Sequence, residues 1–207
     1  MFLRYTRQQG FTLVELATVL VIIGLILGLA FKGKDLVDGA KVKSAQAGAN
    51  KVLAAMNIYA ERYGRYPGDG CSAAEPPGAT TPANCNEAPN GSYTAAEAAL
   101  FMPLLTNTRI LSHADARTPF GANWQAGVGQ AGTQTQANAL YLTAGAAAQV
   151  DLRYVCAMDM QYDDGDPAAG NIRSDAGSGD GPDQYRAGDD CWSNKTSMQS
   201  LNIRLLP

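Results

Sequence analysis

The sequence has few of the residues that enzymes commonly use for chemistry. It contains one histidine, His113, and 4 cysteines in 207 residues. It has no Gly-x-Ser-x-Gly motif, no phosphate-binding glycine loop and no Cys-x-x-Cys pair. The usual nucleophile–base arrangements and the spaced ligands of a zinc site are therefore missing. We expect a structural or binding protein and no enzymatic activity.

Charged residues are also scarce, and they are unevenly distributed. They make up 17% of the chain, whose formal net charge is −3. Residues 1–65 hold nine Lys/Arg and four Asp/Glu, whereas residues 66–207 hold seven and fifteen. The overall balance argues against a disordered tail and against a general nucleic-acid binder, which usually has a basic surface. The chain instead divides into a basic amino-terminal segment and an acidic remainder.

One long apolar run is present near the amino terminus. Residues 11–31 contain a single charge, Glu15. A helix of this length spans roughly 30 Å, the thickness of the hydrocarbon core of a bilayer. The preceding residues include Arg4 and Arg7 and no acid, and positively charged flanks stay in the cytoplasm. We therefore expect a membrane-spanning or targeting segment, with the chain exported after about residue 32.

Glu15 needs an explanation, because a carboxylate inside a membrane costs on the order of 2.5–3.5 kcal/mol. One interpretation is a charge tolerated near the membrane interface. Another follows if the chain is cut after Gly10, since the cut creates an ammonium group on Phe11, four residues before the carboxylate. The two charges could then neutralise each other within one helix or between neighbouring helices.

The string GFTLVEL at residues 10–16, after a short basic leader and before an apolar helix, resembles the class III signal of type IV pilins and type II secretion pseudopilins. The resemblance implies that a prepilin peptidase cuts after Gly10 and methylates Phe11, giving N-methylphenylalanine. It also implies that Glu15 pairs with a neighbouring subunit's amino terminus during filament assembly. The implied partners are other pilins, the peptidase and an inner-membrane assembly platform. The implied location is the inner membrane before assembly and a cell-surface pilus afterwards.

An ordinary secretory signal peptide is the competing interpretation of the same segment. Its apolar core would be residues 16–27, with a small-x-small cleavage site at residues 28–30. This interpretation leaves Glu15 without a role. It predicts a mature chain that begins at Phe31, whereas the pilin-like interpretation predicts Phe11.

A long helix is expected to continue beyond the membrane. Apolar or small residues recur at alternating spacings of four and three, and no proline precedes Pro67. The recurring positions are Ala45, Ala49, Val52, Met56, Tyr59 and Tyr63. One helix from residue 11 to about residue 63 is predicted, although its five glycines, Gly48 among them, each cost up to about 1 kcal/mol. We divide the chain into a leader (1–10), a transmembrane helix (11–31), its amphipathic continuation (32–66) and an exported lobe (67–207).

The lobe is predicted to combine helix and strands. A capping box at Thr94 and Glu97, followed by the apolar residues 98–105, favours a short helix. Strand patterns occur at residues 139–143, 152–158 and 201–206, and residues 107–136 allow no firm assignment. The predicted fold is α+β, with the long helix packed on a small antiparallel sheet and with disulfide-bracketed loops, as in the pilins that the chain resembles.

Cys71, Cys85, Cys156 and Cys191 all lie on the expected exported side, where disulfides form. Three pairings are possible, and proximity in the sequence favours Cys71–Cys85 and Cys156–Cys191. The second pair also resembles the carboxy-terminal disulfide loop of many pilins.

Nine aspartates and two arginines lie between Cys156 and Cys191. Carboxylate oxygens at this density could bind Ca²⁺, and Asp163, Asp164 and Asp166 are the closest set. Their order differs from that of an EF-hand loop. The alternative is that the aspartates make turns and keep the surface soluble, with no cofactor at all.

The expected function is a structural subunit of a type IV pilus, major or minor, serving adhesion, motility or DNA uptake. A type II secretion pseudopilin is the main alternative. A calcium-binding or adhesive single-pass membrane protein is a more distant one. The sequence indicates no nucleic-acid contact.

Overall fold

The computed structural model describes residues 10–72, 80–129, 135, 138–144 and 150–206. The chain divides into two compact units, Met1–Ala40 and Lys41–Pro207. The long helix α1, Leu13–Tyr63, runs through the first unit and continues into the second. The second unit contains the remaining helices and all of the strands that the structure describes.

Helix α1 ends where the sequence predicts. Its last residue is Tyr63, and Gly64 follows with φ 71° while its amide donates to the carbonyl of Ala60. Glycine adopts this left-handed conformation without a steric penalty, which is why it commonly closes a helix. Pro67 then prevents any further helical turn.

Within the second unit, one face of α1 is buried. This face repeats every three or four residues and comprises Val42, Ala45, Ala49, Val52, Ala55, Met56 and Tyr59. The predicted next member, Tyr63, is exposed instead, and its ring lies 4.5 Å from that of Tyr59. The predicted apolar face is therefore confirmed up to Tyr59 and stops one turn earlier than expected.

Helix α2, Ala95–Asn107, begins with the predicted capping box. The Glu97 amide donates to the Thr94 hydroxyl at 3.2 Å, and the Thr94 amide donates to the Glu97 carboxylate at 2.8 Å. These bonds satisfy two amides that a helix start leaves without partners. The buried face of α2 packs into the core of the lobe and consists of Ala98, Leu100, Phe101, Met102, Leu104 and Leu105.

A four-stranded antiparallel sheet completes this core. Its strands are β1 (Trp124–Val128), β2 (Leu140–Ala144), β8 (Asn202–Leu206) and β4 (Ile172–Arg173), in the order β1-β2-β8-β4. In its register Trp124 lies opposite Ala144, and Leu142 lies opposite Ile203. The predicted strands at residues 139–143 and 201–206 are confirmed within one residue.

Two small strand pairs lie outside this sheet. Strand β3 (Val150–Asp151) pairs antiparallel with β7 (Met198–Gln199). Strand β5 (Gly177–Ser178) pairs parallel with β6 (Gln184–Tyr185). Both pairs organise the carboxy-terminal part of the chain, between and around the last two cysteines.

The strand predicted at residues 152–158 is wrong, because helix α3 occupies Leu152–Tyr162. Asp151 forms its amino-terminal cap, and the carboxylate accepts the amide of Arg153 at 3.0 Å. The buried residues follow a helical repeat: Leu152, Val155, Cys156, Met158 and Asp159. Packing of this face against the core outweighs the strand preference of the β-branched and aromatic residues.

The structure contains two disulfides, Cys71–Cys85 and Cys156–Cys191. They are the two pairs that proximity in the sequence favours. The first closes the loop between α1 and α2, and the second ties α3 to the end of the acidic segment.

Candidate functional site

The predicted cleavage site lies immediately ahead of the long helix. Gly10, Phe11 and Thr12 are exposed and precede the first helical residue, Leu13, and 85% of Phe11 is exposed. The rest of the predicted leader, residues 1–9, lies outside the described residues. The Gly10–Phe11 bond is therefore accessible to a peptidase without any unwinding of α1.

Glu15 has partners within its own chain. The Thr12 amide and hydroxyl donate to the same carboxylate oxygen at 2.8 and 2.7 Å, and the Glu15 amide donates back to the Thr12 hydroxyl at 3.2 Å. This is a capping box that starts α1. The Thr-x-x-Glu pattern was present in the sequence, but its role at this helix start went unrecognised. The carboxylate also lies at the positive end of the helix dipole, which favours its charge.

The first part of α1 presents apolar side chains all around the helix. Among the described residues, α1 is the one helix long and apolar enough to cross a membrane. Its exposed large side chains in this part include Leu13, Val14, Leu16, Val19, Leu20, Val21, Ile22, Ile23, Leu25, Ile26, Leu27 and Leu29. A surface of this kind needs lipid or other helices around it, because exposure to water would be unfavourable.

The turn that follows α1 is fixed by a buried carboxylate. Asp69 is 2% exposed and accepts the amides of Asn90 and Gly91, each at 3.0 Å. The Tyr93 hydroxyl donates to the carbonyl of Pro67 at 3.1 Å. These bonds hold the turn at the end of α1 against the segment that leads into α2.

The three aspartates predicted as a calcium site shape a turn. The Asp163 carboxylate accepts the amides of Asn171 and Ile172, the latter at 2.6 Å. Asp164 accepts the amide of Asp166 at 3.0 Å, and Asp166 accepts the amide of Ala168 at the same distance. Such bonds from Asp to a backbone amide two residues on are typical of Asx turns.

A different set of three carboxylates lies close enough together to hold a cation. Asp159, Asp163 and Asp164 each offer one oxygen, and these atoms lie within 4.8 Å of one another. Asp166, which the sequence suggested, is not among them. Asp159 was not selected because it lies directly after the segment 152–158 that was predicted as a strand, whereas it is part of helix α3. A calcium site therefore stays a prediction, with Asp159 in place of Asp166.

Asp159 is fully buried and hydrogen-bonded to the protein. Its two carboxylate oxygens accept the Tyr185 hydroxyl at 2.7 Å and the Gly165 amide at 3.0 Å. Burial raises the pKa of Asp159 to about 6, although both hydrogen bonds oppose this shift. Burial likewise raises the pKa of Tyr185. The proton of the hydrogen bond between Tyr185 and Asp159 therefore stays on the phenol oxygen of Tyr185.

Comparison with known proteins identifies the amino-terminal segment. The family model for the prokaryotic N-terminal methylation motif matches residues 5–31, which include Gly10, Phe11 and Glu15. No curated protein and no solved structure matches the chain. The motif marks proteins that prepilin peptidase processes and that assemble with other pilins, and it points to a structural protein rather than an enzyme. With this motif, its long amino-terminal helix and its two disulfides, the chain fits a type IV pilin-like protein.

Proposed function

We propose that the chain is a structural subunit of an extracellular type IV pilus. The methylation motif at residues 5–31, which includes the exposed apolar first part of α1, is the observation that carries this proposal. Before assembly the helix lies in the inner membrane. In the filament it packs against the same helix of other subunits, which replaces its contacts with lipid.

Cleavage after Gly10 prepares the chain for assembly. It creates an ammonium group on Phe11, next to the Thr12 cap that holds Glu15. The carboxylate of one subunit then pairs with the ammonium group of a neighbour, and this pairing sets the register between helices. In a medium of low dielectric constant such a pair is strongly attractive, whereas an unpaired charge is costly. The contact joins different surfaces of two subunits, so it can repeat into an open helical filament.

The lobe forms the surface of the filament in this proposal. Its exposed aspartates, among them Asp164, Asp183 and Asp190, give that surface a negative charge. A negative surface keeps the filament soluble and discourages lateral association. The partners are other pilins, the prepilin peptidase and the inner-membrane assembly platform.

A type II secretion pseudopilin is the second candidate, and the close approach of Asp159, Asp163 and Asp164 favours it. Pseudopilins often carry a calcium loop. Calcium titration of the full chain in detergent, followed by thermal unfolding, tests the site, because a ligand that binds the folded state raises its stability. Asp163→Asn should abolish such a rise, whereas Asp183→Asn, in an exposed aspartate outside the group, should leave it unchanged.

Filament isolation distinguishes the two candidates. Filaments sheared from the producing cells would be labelled with an antibody against the lobe and viewed by electron microscopy, with cells lacking prepilin peptidase as the control. Long labelled surface filaments that vanish in the control support a pilus subunit. If the labelled chain stays in the cell envelope of peptidase-positive cells and never reaches sheared filaments, the pilus proposal is wrong.

A further inference from the structure

The last turn of α2 and the loop that follows it form a cavity of about 460 Å³ on the surface of the lobe. Its lining consists of Thr106, Asn107, Arg109, Leu111, Ser112 and His113. The volume lies within the range of pockets that bind small organic molecules. None of these residues belongs to the amino-terminal motif or to the acidic segment.

Two of the lining side chains, the Arg109 guanidinium group and the His113 imidazole, can donate hydrogen bonds to an anion. Arg109 and the chain's one histidine, His113, are both exposed, and neither side chain forms a hydrogen bond or an ion pair with another residue in the described part of the chain. The planar guanidinium group of arginine binds carboxylates and phosphates through two parallel hydrogen bonds. Arg109 also has φ 58°, a left-handed conformation that is strained for a residue with a side chain.

The negative end of helix α2 does not neutralise this site. The carbonyls of Leu104, Leu105 and Thr106 accept the amides of the residues that follow, at 3.0–3.1 Å. A helix leaves the carbonyls of its last turn without partners inside the helix. Because nearby amides donate to these three carbonyls, they do not hydrogen-bond to the Arg109 side chain.

The carboxylate of Asp115, which contacts Ser112 in the cavity lining, already has protein partners. Asp115 accepts the Ser112 hydroxyl at 2.6 Å and forms an ion pair with Lys51 at 2.7 Å. The hydrogen bond and the charge of Lys51 hold the pKa of Asp115 below its usual value. The positive charge of Arg109 therefore remains available to an anion from solution.

The hydroxyl groups in the lining can accept hydrogen bonds from a ligand. The Thr106 hydroxyl donates to the carbonyls of Met102 and Pro103 at 3.1 Å, and the Ser112 hydroxyl donates to Asp115. Each oxygen keeps a lone pair for a ligand hydroxyl, since a hydroxyl has one donor and two acceptor sites. Leu111 also lines the cavity, but it is only 5% exposed and offers little apolar area to a ligand.

We propose that this cavity binds an acidic saccharide, meaning a sugar that carries a carboxylate or phosphate group. Arg109 and His113 bind the oxyanion, and the hydroxyl groups of Thr106 and Ser112 accept hydrogen bonds from the ring hydroxyls. This function is independent of filament assembly, because it uses the lobe alone. It gives a pilus a means of attachment to acidic surface glycans.

Calorimetric titration of the full chain in detergent tests the proposal. The ligands are glucuronate, glucose 6-phosphate, glucose and inorganic phosphate. Binding of either acidic sugar at least about tenfold tighter than glucose and inorganic phosphate supports the proposal, and the tighter of the two identifies the preferred oxyanion. The proposal is overturned if neither acidic sugar binds below about 10 mM, or if inorganic phosphate binds as well as both.

Variants assign the binding to the cavity. Arg109→Gln should weaken binding about tenfold or more, whereas Arg117→Gln, which removes an exposed charge outside the lining, should leave it unchanged. Arg109→Gly is a control for loss of folding, because glycine adopts a φ of 58° without strain. This variant should bind the acidic sugars weakly, but it should unfold at the same temperature as the wild type or at a higher one. If Arg117→Gln and Arg109→Gln weaken binding equally, the ligand is attracted by exposed positive charges in general and the proposed site is wrong.

Discussion

The indole nitrogen of Trp124 lies against Gly48, where a Cβ atom would come within 3.1 Å of it. Trp124 is 1% exposed and starts strand β1, while Gly48 lies in the part of α1 that belongs to the second unit, Lys41–Pro207. A distance of this size is tighter than ordinary van der Waals contact. Gly48 therefore lets the sheet approach the helix closely, which explains a glycine that would otherwise only weaken α1.

Gly48→Ala should destabilise the lobe despite the better helix propensity of alanine. Alanine gains up to about 1 kcal/mol within a helix, but overpacking a core contact typically costs about 1–3 kcal/mol. We expect a lower unfolding temperature for the full chain in detergent, measured by near-UV circular dichroism of the tryptophan. Gly39→Ala is the matched control, because a Cβ at Gly39 meets nothing within 4 Å. An equal rise in stability for both variants would contradict the packing argument.

The parts of the fold that the sequence predicts well are specified by residues close together in the sequence. Helix α2 begins with a Thr94–Glu97 capping box, and α1 ends at Gly64 ahead of a proline, so short patterns specify both. Strand β1 was not predicted, because its sequence WQAGV has few β-branched residues and its pairing with β2 and packing on α1 are long-range. Helix α3 was mistaken for a strand, since its Asp151 cap was overlooked.

The residues of the candidate site likewise fall into those that the sequence predicts and those that it does not. Gly10, Phe11 and Glu15 are recognisable from a contiguous motif, and the motif match covers all three. Asp159 and Tyr185 are 26 residues apart and meet only when the loop between them folds back. No local pattern specifies such a contact, so sequence reasoning could not find it.

Glu15→Ala should leave membrane insertion intact and impair filament assembly. The substitution removes the carboxylate that we assign to a neighbour's amino terminus, and it makes the helix more apolar. Filament yield from sheared cells and the amount of chain in the membrane fraction measure the two effects. Glu61→Gln, which removes an exposed carboxylate near the other end of α1, should assemble normally. A normal filament yield for Glu15→Ala would refute the register role.

Thr12→Val separates helix capping from charge pairing at the same site. The variant loses the hydroxyl that both donates to and accepts from Glu15, at a cost of about 1 kcal/mol in helix stability. It keeps the carboxylate itself. We expect filament yield between those of the wild type and Glu15→Ala. If Thr12→Val assembles as poorly as Glu15→Ala, the cap rather than the charge is the essential feature.

Asp159 should make the lobe less stable as the pH rises from about 4 to about 6. Its pKa is about 6 in the folded chain and about 3.9 in an unfolded one. In this window the folded state binds more protons, so stability falls with rising pH. Asp159→Asn removes this contribution, so its free energy of unfolding should rise by about 2 kcal/mol relative to that of the wild type between pH 4 and pH 7. Thermal unfolding of both chains at a series of pH values gives the difference, and a constant difference would contradict the raised pKa.

Asp69→Asn should loosen the turn that follows α1. An amide group has one acceptor oxygen, so it cannot serve both the Asn90 and Gly91 amides as the two carboxylate oxygens do. A buried donor without a partner costs about 1–3 kcal/mol. Chemical denaturation should show that loss, while Asp183→Asn, at an exposed residue, should change the free energy of unfolding by less than about 0.5 kcal/mol.

The amino terminus of the chain recovered from the membranes of its own cells tests the central claim most directly. Mass spectrometry should show a mature chain that begins with N-methylated Phe11, and a chain that retains residues 1–10 in cells lacking prepilin peptidase. An amino terminus at Phe31, or an unprocessed chain in cells that contain the peptidase, would contradict processing at the Gly10–Phe11 bond and with it the proposed pilin-type assembly.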